Sequence, residues 1–268
     1  MTAPKVYKTE AIVLKHMNLG EADKILTLYT PNLGKFSAIA KGVRRPKSKM
    51  GGHLELLTQC SLMLARGQNL DIITQSETIS SFLPLRSDLW RTSLALYAAE
   101  LVAQFTAENV ENYRLYKLLL DTLHRLSETD NGELTLRYFE VNLLTHLGYK
   151  PELHHCLGCK SSLEPRGNFF SSSGGGVLCP ACREKEPLSH PISLNGLKVM
   201  RFLQESDYSK ASRLSINQDL SRELESLMRH YIRYVLEREV KSVAWLDRLR
   251  REQPRYYRGS EGLEGNIA

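Results

Sequence analysis

Two Cys-x-x-Cys pairs constrain this 268-residue chain more than any other feature of its sequence. The pairs are Cys156 with Cys159 and Cys179 with Cys182, and 19 residues separate them. Each pair is typical of a tight turn that points two sulfur atoms to one side, and two such turns supply four thiolates at tetrahedral positions. Because this spacing is typical of zinc sites, we predict one Zn²⁺ per chain, bound by all four cysteines. The Gly174–Gly176 run is expected to be flexible chain that lets the second pair turn back toward the first.

Other uses of four cysteines fit the sequence less well. Two disulfides require an oxidising compartment, and no N-terminal apolar segment of a secretory signal is found. A redox-active pair is expected beside a βαβ pattern, which is absent, and the even two-plus-two spacing favours zinc over an iron–sulfur cluster. Four thiolates leave no coordination position for water, so the site is predicted to be structural. His154 and His155 are expected to be loop neighbours rather than ligands, and Cys60 to be a buried apolar residue.

Residues 1–82 predict a small barrel of β-strands. Five short runs rich in β-branched and aromatic residues are separated by turn signals such as the Pro31–Gly34 stretch. The runs are TEAIVLKH, DKILTLYT, GKFSAIAK, LLTQCSLMLA and LDIITQSETI. Five strands in about 75 residues match an OB-fold, and an SH3-like barrel is the alternative that the pattern alone leaves open.

The hydrophobic period changes near residue 87, from the alternation of strands to the spacing of helices. Ser87 is a candidate N-cap for the first helix, and Gly148 is placed to end the third. Leucine-rich stretches before and after the cysteines predict further helices. The predicted fold class is α+β: an OB-fold domain at 1–82, a helical domain at 83–150 and 191–253, a zinc-binding insertion at 151–190 and a loose tail at 254–268.

Positive charge is concentrated in the N-terminal part of the chain. The net charge is +6, and residues 1–80 carry 11 Lys or Arg against 6 Asp or Glu. The stretch KGVRRPKSK, residues 41–49, has no acidic residue; we call it the basic loop. A flexible basic loop on a barrel face suits a phosphate backbone, and such contacts position a strand without reading its sequence. The predicted nucleic-acid contacts are Lys35, Lys41, Arg44, Arg45, Lys47 and Lys49.

Alternatives to these nucleic-acid contacts stay open at this point. The basic loop has a plainer interpretation as a solvated surface loop or, as with any basic cluster, a nuclear-localisation signal. Tyr29 and Phe36 are candidates for stacking on bases, but either is equally suited to the core.

Membrane insertion is not expected from the sequence. No stretch reaches the roughly 18 uninterrupted apolar residues that a membrane helix needs. We therefore expect a soluble, intracellular protein.

Three parts of the sequence together resemble the RecO family of bacterial DNA repair and recombination proteins. The stretch GEADKILTLYTPNLGKFSAIAKGVRRPKSK resembles the N-terminal signature of the family. SGGGVLCPAC, with the two cysteine pairs, is similar to its zinc-bearing members, and KSVAWLDRL at 241–249 is similar to its C-terminal helix. The signature positions are Gly20, Glu21, Asp23, Gly34, Lys41, Gly42, Arg44 and Arg45. The resemblance covers most of the chain in a consistent order.

This resemblance implies an N-terminal OB-fold, a helical domain with a zinc-binding insertion, and a recombination mediator without catalytic chemistry. The implied activities are binding of single- and double-stranded DNA, annealing of complementary strands, and help in loading RecA on gapped DNA. The implied protein partners are RecR and the C-terminal tail of the single-strand-binding protein. The implied location is the bacterial cytoplasm, at the nucleoid, with no membrane partner and no small-molecule substrate.

Two other functions compete with this interpretation. A zinc-containing protein-interaction adaptor would bind partners through its zinc module and a helical groove, with DNA contact incidental; the DNA affinity of the isolated protein discriminates it. A zinc-dependent hydrolase would need an open metal position or clustered carboxylates. Glu21 with Asp23 is only a pair at a strand edge, and Asp71 and Glu77 are isolated, so the sequence favours a non-enzymatic protein.

Overall fold

The computed structural model describes residues 5–164 and 167–252. Five strands give way to helices near residue 83, as the sequence predicts, and three short strands that the sequence does not predict lie between residues 168 and 192. The strands are β1 (Val6–Leu19), β2 (Asp23–Thr30), β3 (Gly34–Ala40), β4 (Gln59–Ala65), β5 (Asp71–Ser80), β6 (Asn168–Ser171), β7 (Gly176–Leu178) and β8 (His190–Ile192). The helices are α1 (Leu83–Ser87), α2 (Leu89–Phe105), α3 (Tyr113–Glu128), α4 (Gly132–His146), α5 (Leu194–Glu205), α6 (Tyr208–Ala211), α7 (Gln218–Leu236) and α8 (Lys241–Glu252). None of the described helices combines the length and the apolar character of a membrane span.

Strands β1 to β5 form the predicted five-stranded, OB-like unit. Their order is β1-β2-β3-β5-β4, and β4 also pairs with β1, so the strands follow one another in a ring. The pairings are antiparallel except for a short parallel seam between β3 and β5, where Ala38 lies opposite Asp71 and Ile39 opposite Ile72. This seam is the weakest part of the ring, because only two residue pairs hold it.

The core of this unit follows from the alternation of side chains along each strand. Successive residues of a strand point to opposite faces, so Phe36, Ala38 and Ala40 of β3 point inward and are buried. Strands β1, β2, β4 and β5 add further buried residues, among them Cys60. Val43 and Leu54, from the connection between β3 and β4, complete this core. The prediction that Cys60 is a buried apolar residue is confirmed.

The chain divides into two compact units between Glu128 and Thr129. The end of the strand pattern predicts a boundary between residues 82 and 83. Helices α1 to α3 instead belong to the same compact unit as the strands. Arg86 donates to the carbonyl of Leu56 at 2.9 Å and to the hydroxyl of Thr58 at 2.8 Å. The change of hydrophobic period marks a change of element type, and it carries no information about which elements pack together.

The start of helix α2 differs by one residue from the prediction. Asp88, not Ser87, is the N-cap: its side chain accepts the N–H groups of Trp90 and Arg91 at 2.8 and 3.0 Å. Ser87 instead ends the short helix α1, and its hydroxyl donates to the carbonyl of Pro84 at 3.0 Å. Both residue types cap helices well, so the sequence alone could not choose between them.

The second compact unit combines helices α4, α5 and α7 with the three-stranded sheet β7-β6-β8. The predicted leucine stripes of these helices are buried, and Phe170 of β6 packs edge-on against Tyr231 of α7 at 5.3 Å between ring centroids. On α8, Arg250 forms ion pairs with Glu133 and Glu225. The tail predicted at 254–268 lies outside the described residues.

Replacement of Lys35 by methionine should destabilise the first compact unit. The Lys35 ammonium donates to the carbonyls of Ala103 and Thr106 at the C-terminal end of α2, at 2.6 and 2.5 Å. Hydrogen bonds from a charged donor contribute about 2 kcal/mol each, so Lys35→Met should lower the free energy of unfolding by about 2 kcal/mol or more. Lys47→Met is the matched control because Lys47 is exposed, and it should stay within about 0.5 kcal/mol of the parent. Urea denaturation measures the free energy of unfolding of both variants. If Lys35→Met is as stable as the parent, this role for Lys35 is contradicted.

Candidate metal centre and nucleic-acid interface

The four cysteines of the two Cys-x-x-Cys pairs come together in space. Their sulfur atoms all lie within 4.8 Å of one another, and the Cys159 and Cys179 sulfurs are 3.9 Å apart. Cys179 follows strand β7, and Cys182 lies in the 3-10 helix Pro180–Lys185. In the part of the chain that the structure describes, this is the one group of three or more His, Cys, Asp or Glu residues gathered closely enough to hold a metal ion. The donor set fits the soft thiolate ligands that zinc accepts.

Tight backbone turns present the sulfurs to one another. The Lys160 N–H donates to the Cys156 carbonyl at 2.9 Å, and the Cys182 N–H donates to the Cys179 carbonyl at 3.0 Å. Gly158 lies inside the first turn, where an added Cβ atom would be 2.8 Å from the Cys182 sulfur. A side chain at this position would therefore push the two pairs apart.

The backbone around Cys156 favours its thiolate form. Burial of this thiol opposes ionisation, but the N–H groups of Cys179, Cys159 and Gly158 outweigh it and lower the pKa of Cys156 to about 6. The Cys179 N–H lies 3.3 Å from the Cys156 sulfur. Contacts with the neighbouring cysteines, first with Cys179, raise the pKa of Cys182 to about 12. A cation at the centre would favour the thiolate form of all four cysteines, because metal ligands must be thiolates.

Other residues near the cluster have separate roles. The Nε2 atom of His154 lies 2.7 Å from a carboxylate oxygen of Glu205, and neither His154 nor His155 belongs to the cluster of ligand atoms. The Gly174–Gly176 run contributes to the turn between β6 and β7, and Gly176 is the first residue of β7. The carbonyl of Gly175 accepts the Glu152 N–H at 3.0 Å, which fixes the turn beside the first cysteine pair.

The basic loop is exposed but held in place. The side chains of Lys41, Arg44, Arg45, Lys47 and Lys49 are all exposed. Between them, Val43 is 5% exposed and belongs to the barrel core. Within the described ranges none of the five cations forms an ion pair. The loop was expected to be flexible; instead, a buried valine anchors it while its charges face solvent.

Asp23, at the start of β2, positions the beginning of the basic loop. Its carboxylate accepts the Gly42 N–H at 2.7 Å, and Gly42 has a φ of +64°, which favours glycine. The Arg44 N–H donates to the Ala22 carbonyl at 2.9 Å, and the Arg44 side chain donates to the Gly20 carbonyl at 3.0 Å. These hydrogen bonds join the basic loop to the hairpin between β1 and β2. Sequence spacing did not predict that Asp23 would position the loop.

One residue predicted at the nucleic-acid interface and two aromatic candidates for stacking have other surroundings. The Lys35 ammonium is engaged with two carbonyls of α2, so it serves the fold. Tyr29 is fully buried beneath Tyr116 of α3, with 6.3 Å between ring centroids, and burial raises its pKa. Phe36 is 7% exposed and lies inside the barrel. Neither aromatic ring is available for stacking on a base.

Comparison with known proteins gives consistent matches along the chain. The Recombination protein O N terminal family matches residues 1–82, and the Recombination protein O C terminal family matches residues 86–244. The chain is 46% identical over 250 residues to the DNA repair protein RecO of Dehalococcoides mccartyi (strain CBDB1), covering 93% of this chain and 98% of that protein. It is 43% identical to the DNA repair protein RecO of Roseiflexus sp. (strain RS-1), covering 92% and 87%. With that of Halalkalibacterium halodurans the identity is 32%, covering 91% and 95%.

Replacement of Cys179 by serine should remove the metal and destabilise the chain. A serine hydroxyl is a poor substitute for a thiolate ligand, and metal binding contributes directly to folding. We expect one zinc per parent chain, well under one in Cys179→Ser, and a lower unfolding midpoint. Cys60→Ala is the matched control, because it removes a cysteine outside the cluster and should keep one zinc per chain. Elemental analysis and thermal denaturation measure both quantities; full stability of metal-free Cys179→Ser would refute a structural metal.

Proposed function

Because the chain belongs to the RecO family and therefore has a role in DNA repair and recombination, we propose that it is a non-enzymatic mediator that binds DNA through the basic loop. Five exposed cations without ion-pair partners among the described residues are the observation that carries this proposal. A cation that is not neutralised within the protein is available to replace the counterions of a phosphate backbone. Lys35 is left out of the proposed contact set, which consists of Lys41, Arg44, Arg45, Lys47 and Lys49.

The anchoring of the loop supports contact with both single- and double-stranded DNA. Phosphate contacts carry no base identity, so one surface serves both forms. The cations are presented on an ordered loop, so little conformational entropy is lost when a strand binds. OB-fold barrels bind oligonucleotides on the face of strands 2 and 3, together with the loops between strands 1 and 2 and between strands 4 and 5. The basic loop follows β3 directly and is hydrogen-bonded to the hairpin between β1 and β2.

We propose annealing of complementary strands as the activity that follows from this surface. Two single strands repel each other through their phosphates, and cations that neutralise both strands reduce that repulsion. In the proposed pathway, the protein engages RecR and the C-terminal tail of the single-strand-binding protein, and so helps load RecA on gapped DNA. It acts in the bacterial cytoplasm at the nucleoid.

We propose a structural role for the metal. Cys156, Cys159, Cys179 and Cys182 would hold one Zn²⁺, which would link the segment before β6 to the segment after β7. A closed shell of four thiolates offers no position for an activated water. The site would therefore contribute to folding and not to bond cleavage.

Removal of three loop cations should weaken DNA binding and its dependence on salt. The triple variant Arg44→Ala, Arg45→Ala and Lys47→Ala should lower the slope of log affinity against log salt by up to about three units, for single- and double-stranded DNA alike. Annealing of complementary strands, with and without single-strand-binding protein, should slow in parallel. Fluorescence anisotropy over a salt series measures the affinities.

A matched control removes three cations from the second compact unit. Lys198, Arg213 and Arg222 are exposed, so alanine at these positions changes the net charge equally but should leave the slope nearly unchanged. If both triple variants behave alike, or if the loop variant keeps its affinity at matched salt, the proposed interface is wrong. A parent protein without measurable DNA affinity would favour the adaptor function instead.

Replacement of Asp23 by alanine should lower DNA affinity although it removes a negative charge. Coulomb repulsion alone predicts tighter binding, but the Asp23 carboxylate holds the Gly42 N–H and thereby the loop. Loss of a charge-assisted hydrogen bond of about 1.5 kcal/mol should loosen the loop and weaken binding by about three- to tenfold. Glu21→Ala is the control, since Glu21 is exposed on the same hairpin and should give unchanged or slightly tighter binding. Tighter binding by Asp23→Ala would exclude the positioning role.

A further inference from the structure

A cavity of about 450 Å³ lies within the second compact unit. Its walls are the Gly148–Lys150 segment after α4, the Ser172–Gly175 turn between β6 and β7, and the end of α7 from Tyr231 onward with Glu237, the residue that follows the helix. The volume falls in the range of about 300–1,000 Å³ that is usual for small-ligand sites. Nothing in the proposed contacts of the basic loop uses it.

Tyr231 fixes the walls of this cavity relative to one another. Its hydroxyl donates to the Tyr149 carbonyl at 2.9 Å, and its ring packs edge-on against Phe170. Gly175 has a φ of +66°, and an added Cβ there would lie 3.0 Å from the Tyr231 hydroxyl oxygen. Tyr231 is therefore the buried side chain at which helix α7, the segment after α4 and the β6–β7 turn meet. These contacts hold the cavity in a preformed shape.

The lining of the cavity is aromatic and polar. Tyr149 and Tyr234 are 46% and 53% exposed, so their rings are accessible to a ligand. Ser172 and Ser173 add polar residues to the lining. Val235 is the one purely aliphatic residue in the lining. This chemistry suits a flat, hydrogen-bonding ring better than the aliphatic side chains of a peptide.

The charges of the lining balance. Lys150 supplies one cation and Glu237 one carboxylate, in contrast to the basic loop, which has no acid. An acidic peptide would gain little from such a surface. A neutral base attached to a single phosphate, placed at Lys150, matches it more closely.

We propose that this cavity binds one unpaired base of single-stranded DNA, stacked on Tyr149 or Tyr234 with its phosphate at Lys150. The proposal rests on the DNA binding proposed above, and it adds a stacking site that the aromatic residues of β2 and β3 do not provide. Bases of a duplex are paired and stacked internally, so they do not enter. The cavity therefore distinguishes single-stranded from double-stranded DNA, whereas the basic loop binds both.

The test measures affinity for an oligothymidylate of about 16 nucleotides and for a duplex of the same length, with full-length, zinc-loaded protein. Stacking of one base on an aromatic ring contributes about five- to a hundredfold in affinity. Tyr149→Ala and Tyr234→Ala should together weaken single-strand binding by at least fivefold and leave duplex binding within about twofold. Because stacking releases no counterions, the salt slope should stay at the parent value. Tyr234→Phe should keep the parent affinity, since the ring remains.

Tyr113→Ala is the matched control, because Tyr113 is an exposed tyrosine, 56% exposed, in the first compact unit. It should change neither affinity. Zinc content and unfolding midpoint establish that each variant is folded, and Lys150→Gln gives a second, milder change that should weaken single-strand binding alone. If the folded double-tyrosine variant binds single strands as tightly as the parent, the proposal is overturned. The variants of the basic loop test the proposed DNA binding separately. Equal losses of affinity for the single strand and for the duplex in this variant would also overturn the proposal. So would a variant that keeps its DNA affinity but no longer binds an acidic peptide with a free C-terminal carboxylate.

Discussion

The convergence of four sulfur atoms is the constraint on which the second compact unit depends. The two cysteine pairs lie on either side of the β6–β7 hairpin, and their turns leave no room for a side chain at Gly158. Backbone N–H groups outweigh burial and lower the pKa of Cys156, whereas contact with Cys179 raises the pKa of Cys182. A metal would bind all four cysteines as thiolates and fix the hairpin whose turn forms one wall of the tyrosine-lined cavity.

Two kinds of surface follow from this arrangement and from the barrel. The basic loop offers charge without accessible rings, because Tyr29 and Phe36 are buried. The cavity offers rings with balanced charge. Electrostatic attraction is long-ranged and depends on salt, whereas stacking acts only at contact. Under the proposed function, the basic loop would attract any DNA and the cavity would distinguish an unpaired strand, which is the form that annealing requires.

Much of the fold and of the candidate site could be predicted from the sequence. Most of the features that could not be predicted depend on contacts between residues far apart in the chain. Strands β1 to β5, the main helices, the cysteine cluster and the exposed cations follow from patterns local in sequence, such as the alternation in β3 and the Cys-x-x-Cys spacing. The short strands β6, β7 and β8 near the cysteines are not among the predicted elements. The role of Lys35 could not be predicted, because its partners are 68 and 71 residues away. The cavity combines residues from 148 to 237, and no spacing rule connects them.

The packing of helices α1 to α3 with the barrel strands bears on how the protein can be cut into pieces. The two family matches meet between residues 82 and 86, which suggests a fragment ending there. Such a fragment would lose Tyr116, which covers Tyr29, and both carbonyl partners of the Lys35 ammonium. The Tyr29 ring would become exposed, and the Lys35 ammonium would lose these two hydrogen bonds. Both changes are common causes of aggregation and misfolding. A soluble fragment carrying the basic loop should therefore end near Glu128, where the first compact unit ends.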